Sequence, residues 1–134
     1  MIVVDSNIIA YLYLPGEFTA RAEKLLENDS DWAAPLLWRS EFRNILTGYL
    51  RRQTLNFDQV CALQNEAENL LADAEFEVDS STVLTLVRDS DCSPYDCEFI
   101  ALAIQLDTQL VTMDKRVLRA FPQHTTALTA ASPP

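Results

Sequence analysis

The chain has 134 residues, 49% of them hydrophobic and 22% charged, with a net charge of −10 at pH 7. That profile suits a single globular domain with a sizeable core, and no apolar run approaches the ~20 residues of a membrane span. So negative a total excludes passive electrostatic binding of nucleic acid, and with Gly16 and Gly48 as the only glycines there is no Gly-rich phosphate loop.

Met1 leads straight into an apolar run without a basic segment before it, so no signal peptide is expected. Cys61, Cys92 and Cys97 lack metal-type spacing and read as buried or idle thiols. Both features point to a cytoplasmic protein with no membrane contact. The charge is unevenly spread. Arg39, Arg43, Arg51 and Arg52 form one basic segment and Lys115, Arg116 and Arg119 another, while Arg88 is the only base between Gln53 and Asp107. The middle of the chain is acidic, and a solvated acidic surface is the plainest account of it.

Ile2-Val3-Val4 is a short β-branched run of the kind found in a buried strand, and Asp5 ends it. Ser6 and Asn7 open a short helix through Ile8, Ile9 and Leu12, stopped by Pro15-Gly16. A second helix is expected from about Thr19 to Glu27, then a strand at Trp32-Ala33-Ala34. Leu36 to Arg52 reads as a long helix whose stripe includes Leu37, Trp38, Phe42, Ile45 and Leu46. Glu41 lies inside that stripe, where a carboxylate is costly unless it is paired or functional. Phe57 to Ala72 is a further helix. Phe76 and Val78 mark a third strand, and Ser80 to Asp89 a helix that buries Val83, Leu84 and Val87.

Ser93 to Asp114 is the most informative stretch. Ser93 suits an N-cap and Pro94 the first helical position. Phe99, Ile100, Ala103 and Ile104 recur at helical spacing, with Asp96 at the head of that stripe. Gln109 to Thr112 is a strand and Asp114 stands just past it. Lys115 to Phe121 is a short helix, and Thr125 to Leu128 a last edge strand. Residues 1–128 are therefore expected to form one α/β domain, with helices on both faces of a mostly parallel sheet. A loose tail is expected over 129–134.

Asp5 and Asp114 end two strands, Asp96 starts the helix between them, and Glu41 faces inward. Right-handed crossovers put the C-terminal ends of parallel strands on one edge, so the four carboxylates can meet there. Crowded carboxylates repel unless a cation compensates, and an oxygen-only set favours Mg²⁺ or Mn²⁺. Each acid also has a plain structural account. Asp5 and Asp114 can cap helices, Asp96 can complete a capping box with Ser93, and Glu41 can pair with an arginine.

The ordered set of motifs resembles the PIN-domain ribonucleases, in particular VapC-like toxins of bacterial toxin–antitoxin pairs. It comprises Val3-Val4-Asp5-Ser6-Asn7, Glu41 with Ile45 and Leu46, Tyr95-Asp96 before Ala101-Leu102-Ala103, and Leu110-Val111-Thr112-Met113-Asp114 with Phe121-Pro122 after it. The resemblance implies a three-layer PIN-like fold and a Mg²⁺- or Mn²⁺-dependent endoribonuclease. It further implies that Asp5, Glu41, Asp96 and Asp114 hold the metal, supported by Ser6, Asn7 and Thr112. Arg39, Arg43, Lys115 and Arg116 are candidates for RNA phosphate contacts. A cognate antitoxin and a homodimer are the implied partners. Two other readings remain open. One is a haloacid-dehalogenase-like phosphatase with Asp5 as nucleophile, which would want an acid where Asn7 stands. The other is a non-catalytic PIN-like binding protein.

Overall fold

The apolar run at the N-terminus becomes the central strand. In the computed structural model, which describes residues 1–128, β1 (Ile2–Val4) lies between β2 (Trp32–Pro35) and β4 (Leu110–Thr112), with Val3 and Val4 fully buried. β3 (Glu75–Phe76) and β5 (Thr125–Ala127) form the edges of a five-stranded sheet ordered β3-β2-β1-β4-β5. Every strand pair is parallel, and Val3 sits beside Ala33 on one side and Leu110 on the other. A parallel sheet is covered on both faces, so its strands are apolar at successive positions and do not alternate. The tail expected at 129–134 lies outside the described residues.

The connections decide which face each helix covers. α1 (Ser6–Tyr13) and α2 (Thr19–Asn28) link β1 to β2, and α3 (Leu37–Arg51) and α4 (Phe57–Leu70) link β2 to β3. Both links step the same way across the sheet, so right-handed crossovers put these helices on one face. There α1 packs against α2, α3 and α4. The path then reverses. α5 (Ser80–Arg88) and α6 (Pro94–Gln105) return to β4, and α7 (Lys115–Ala120) continues to β5, covering the other face. α6 touches β1, β2 and β4, and buries Cys97, Phe99, Ile100, Ala101, Leu102 and Ala103. The reversal leaves a crevice beyond the ends of β1 and β4, the place where ligands bind in open α/β sheets.

The observed elements lie within two residues of the expected boundaries at every helix end. Three expectations change. Val78 is not in a strand: β3 stops at Phe76, and Asp79 already caps α5 through Thr82 N. Leu84 is 63% exposed, because α5 turns Val83 to the core and the next position lies about 100° further round the helix. Ile104 is 40% exposed in the last turn of α6, beside the equally open Gln105. No helix among the described residues is long and apolar enough to cross a membrane.

Candidate active site

Asp5 ends β1 and is the N-cap of α1: its Oδ1 accepts from Ile8 N at 3.0 Å. Its Oδ2 accepts from the Thr112 hydroxyl, which itself accepts from Asp114 N at 3.0 Å. Thr112 is the last residue of β4 and is almost fully buried, so one hydroxyl ties the ends of two adjacent strands together. Asp114 caps α7, with Oδ1 accepting from Arg116 N at 2.9 Å and Val117 N at 3.3 Å. Its other oxygen accepts no hydrogen bond among the described residues. Ser6, the first residue of α1 and also buried, donates from Oγ to Glu41 Oε1 at 2.7 Å. Glu41 therefore pairs with a hydroxyl and not with an arginine. Asp96 lies in the first turn of α6, where its N–H donates to the Ser93 cap at 3.0 Å.

These four carboxylates, with Ser6, Asn7 and Thr112, line one cavity of about 420 Å³ at the crevice between β1 and β4. Burial is the main reason the Asp5 carboxyl is pushed up to about 6, with the charges of Glu41 and Asp114 adding to it against the hydrogen bonds from Thr112 and Ile8. Glu41 is raised by burial first and then by the nearby charges of Asp96 and Glu98, against its bond from Ser6. Asp96 is raised by burial and then by Asp114, partly offset by Ser93 and Arg116. None of the four makes an ion pair among the described residues. The site thus concentrates negative charge with no ion-paired cation among the described residues and only a partial offset at Asp96 from Arg116.

That donor set fits a hard divalent cation in kind. It is all oxygen and anionic, and burial with neighbouring charge raises Asp5, Glu41 and Asp96. As the side chains stand, no group of three or more His, Cys, Asp or Glu among the described residues is arranged to hold one ion. The carboxylates surround the cavity without converging on a point, and Mg²⁺ sites of one or two protein carboxylates and several waters have that open form.

The basic residues divide. Arg39 is committed elsewhere: its Nε and Nη2 both reach Glu75 at 2.6 Å, and Nη1 reaches Glu68 at 3.0 Å. Trp38 Nε1 donates to the same Glu75 at 2.8 Å, so this network ties α3 to β3 and α4. Arg43, Lys115 and Arg116 are exposed and lie outside the cavity lining. Sequence reading missed Ser40 and Asn44, which line the cavity from α3 beside Glu41. The signal was there, since Asn44 is one helical turn beyond Glu41.

A family model described as PIN domain matches residues 2–122. Among curated proteins the chain is similar to ribonuclease VapC3 of Pyrobaculum aerophilum, 28% identical over 127 residues, covering 90% of this chain and 95% of that protein. Among solved structures it is similar to FitAcB from Neisseria gonorrhoeae, with a TM-score of 0.74 and 18% identity, covering 93% of this chain and 96% of that one. It is also similar to a chain of a toxin–antitoxin complex from Klebsiella pneumoniae, with a TM-score of 0.70 and 14% identity, covering 96% of this chain and 98% of that one. At those identities the structural likeness speaks to the fold.

Proposed function

The chain belongs to the PIN-domain family, and from that premise we propose that it is a Mg²⁺- or Mn²⁺-dependent endoribonuclease, held in check by a protein antitoxin. The observation that carries this reading is the cavity itself, lined by Asp5, Glu41, Asp96 and Asp114 with no cation among the described residues paired to any of them. The ribonuclease name of the Pyrobaculum aerophilum relative and the toxin–antitoxin title of the Klebsiella pneumoniae structure support substrate and partner.

In this reading Asp5, Glu41, Asp96 and Asp114 would hold the ion, some of them through its waters, and it would polarise a phosphoryl oxygen and make water acidic. The chain's own contribution is orientation. Thr112 fixes one oxygen of Asp5 and Ile8 N fixes the other, so the carboxylate cannot swing away from the crevice. Ser6 does the same for Glu41 and leaves Oε2 free. Arg43, Lys115 and Arg116 are the cations left to meet RNA phosphates, and a bound divalent ion reverses the repulsive local field. An antitoxin that places an arginine or lysine among the acids would supply the missing charge and exclude substrate together. The same reading has two copies forming a homodimer in the cytoplasm. A phosphatase attacking through Asp5 is disfavoured, because such an enzyme wants a second acid where Asn7 stands.

The test is the chemistry of the ends. The purified chain, given a synthetic RNA and Mg²⁺, is expected to leave 5′-phosphate and 3′-hydroxyl termini by mass spectrometry, and EDTA to stop cleavage. A 2′,3′-cyclic phosphate product, or cleavage indifferent to EDTA, would refute hydrolysis by metal-activated water.

A further inference from the structure

Tyr95 is 59% exposed although it is one of the largest apolar side chains in the protein. Among the described residues it joins no aromatic pair and is not packed on the core cluster. It nevertheless lines the acidic cavity, directly beside Asp96. It is also held in a fixed place. Tyr95 is the second residue of α6, behind Pro94 and the Ser93 cap, so its backbone cannot swing independently of Asp96. α3 contributes Leu37, Ile45 and Asn44 to the same cavity. The lining of this anionic crevice thus includes an exposed aromatic ring together with apolar and amide groups. That is the surface an unstacked nucleobase requires, and a phosphate has no use for it.

Charge makes the same case. A chain of net charge −10 gains little from general electrostatic attraction to RNA, and the Arg39 guanidinium is already bound to Glu75 and Glu68. Affinity must come largely from contacts that do not depend on the overall field, and stacking on an aromatic ring is such a contact.

We propose that Tyr95 is the platform on which an unpaired base next to the scissile phosphate stacks. This rests on the ribonuclease reading above. The base fixes the register of the strand, so that the adjacent phosphate lies over the carboxylates. A paired base inside a duplex cannot reach the ring, because its faces are already covered by its neighbours.

The experiment uses the full chain with Mg²⁺, a short single-stranded oligoribonucleotide, its duplex, and versions carrying one abasic position on either side of the cleaved bond. Wild type, Tyr95→Ala and Tyr95→Phe are compared, with melting curves to show that the exposed substitutions keep the fold. Tyr95→Ala is expected to raise KM about ten- to a hundredfold with a smaller effect on kcat, the range for losing one stacked base. Tyr95→Phe is expected to restore binding, since the ring and not the hydroxyl is used. One abasic position should weaken wild type as Tyr95→Ala does, and combining the two should cost no more than either alone. An unchanged KM in Tyr95→Ala, additive losses at every abasic position, equal cleavage of the duplex, or a change of oligomeric state in Tyr95→Ala would each overturn the proposal. A wild-type chain that leaves every RNA intact overturns the ribonuclease reading and this inference with it. Cleavage by wild type with no effect of Tyr95→Ala overturns this inference alone.

Discussion

Replacing Asp5 by asparagine should stabilise the metal-free protein at pH 8 and destabilise it at pH 3. The Asp5 carboxyl is pushed up to about 6, chiefly by burial, whereas an unfolded aspartate titrates near ~3.9. Between those values the folded chain holds a proton that the unfolded chain has lost. Stability from this group is therefore fully present below ~4 and disappears as pH rises through about 6. A rise of that size corresponds to about 3 kcal/mol at most, and water at the cavity mouth reduces it to ~2–3 kcal/mol. Asparagine keeps Oδ1 for Ile8 N but presents an amide where Thr112 donates, which forfeits about 1 kcal/mol. The balance at pH 8 is a gain of ~1–2 kcal/mol, or about 4–7 °C in Tm for a domain of this size. At pH 3 the carboxyl is protonated in the folded and the unfolded chain alike, so only the lost bond remains and Tm should fall by about 3–4 °C. Circular dichroism melts in EDTA at the two pH values measure both. An Asp5→Asn protein that is less stable at both pH values would refute the reasoning and leave Asp5 as a helix cap and strand tie only.

Added Mn²⁺ or Mg²⁺ is expected to raise the wild-type Tm progressively, because an ion bound only to the folded state stabilises it by mass action. A Tm that stays flat to about ten millimolar Mn²⁺ would contradict a cation site in the cavity. Arg39→Ala should lower stability by ~1–2 kcal/mol in urea titrations, since it leaves Glu75 with only Trp38 as partner, yet change RNA cleavage less than about twofold. A large loss of cleavage with stability intact would instead return Arg39 to phosphate binding. A protein inhibitor captured with the chain should lose its hold when one particular arginine or lysine is changed to alanine, and an inhibitor indifferent to all such changes would refute cation insertion.

Most of the framework was legible because local signals agreed with the tertiary outcome. The apolar runs of Val3-Val4 and Leu110-Val111, each ending in a polar residue, marked parallel strands whose ends share an edge. Ser93-Pro94 marked a helix start through capping chemistry that does not depend on the rest of the chain. What failed was whatever neighbours decide. Leu84 and Ile104 have the right spacing for a stripe, but no partner covers them among the described residues. Arg39 was read as free because its partners, Glu68 and Glu75, lie about thirty residues away and meet it only when α4 and β3 return to α3. At the site, sequence could nominate the four acids. It could not foresee that Thr112 would bond Asp5, since that contact exists only once β4 lies beside β1.

The central claim is most directly tested by single-turnover cleavage of a labelled RNA with Mg²⁺ in excess, comparing wild type with Asp96→Asn. The bond at the start of α6 uses the Asp96 N–H and the Ser93 hydroxyl, and asparagine keeps an acceptor oxygen towards Ser93, so the fold should survive. The account predicts metal-dependent cleavage by wild type and a loss of about 100-fold or more in the variant, the consequence of removing one charged ligand from the cavity. Cleavage by Asp96→Asn at the wild-type rate would contradict it.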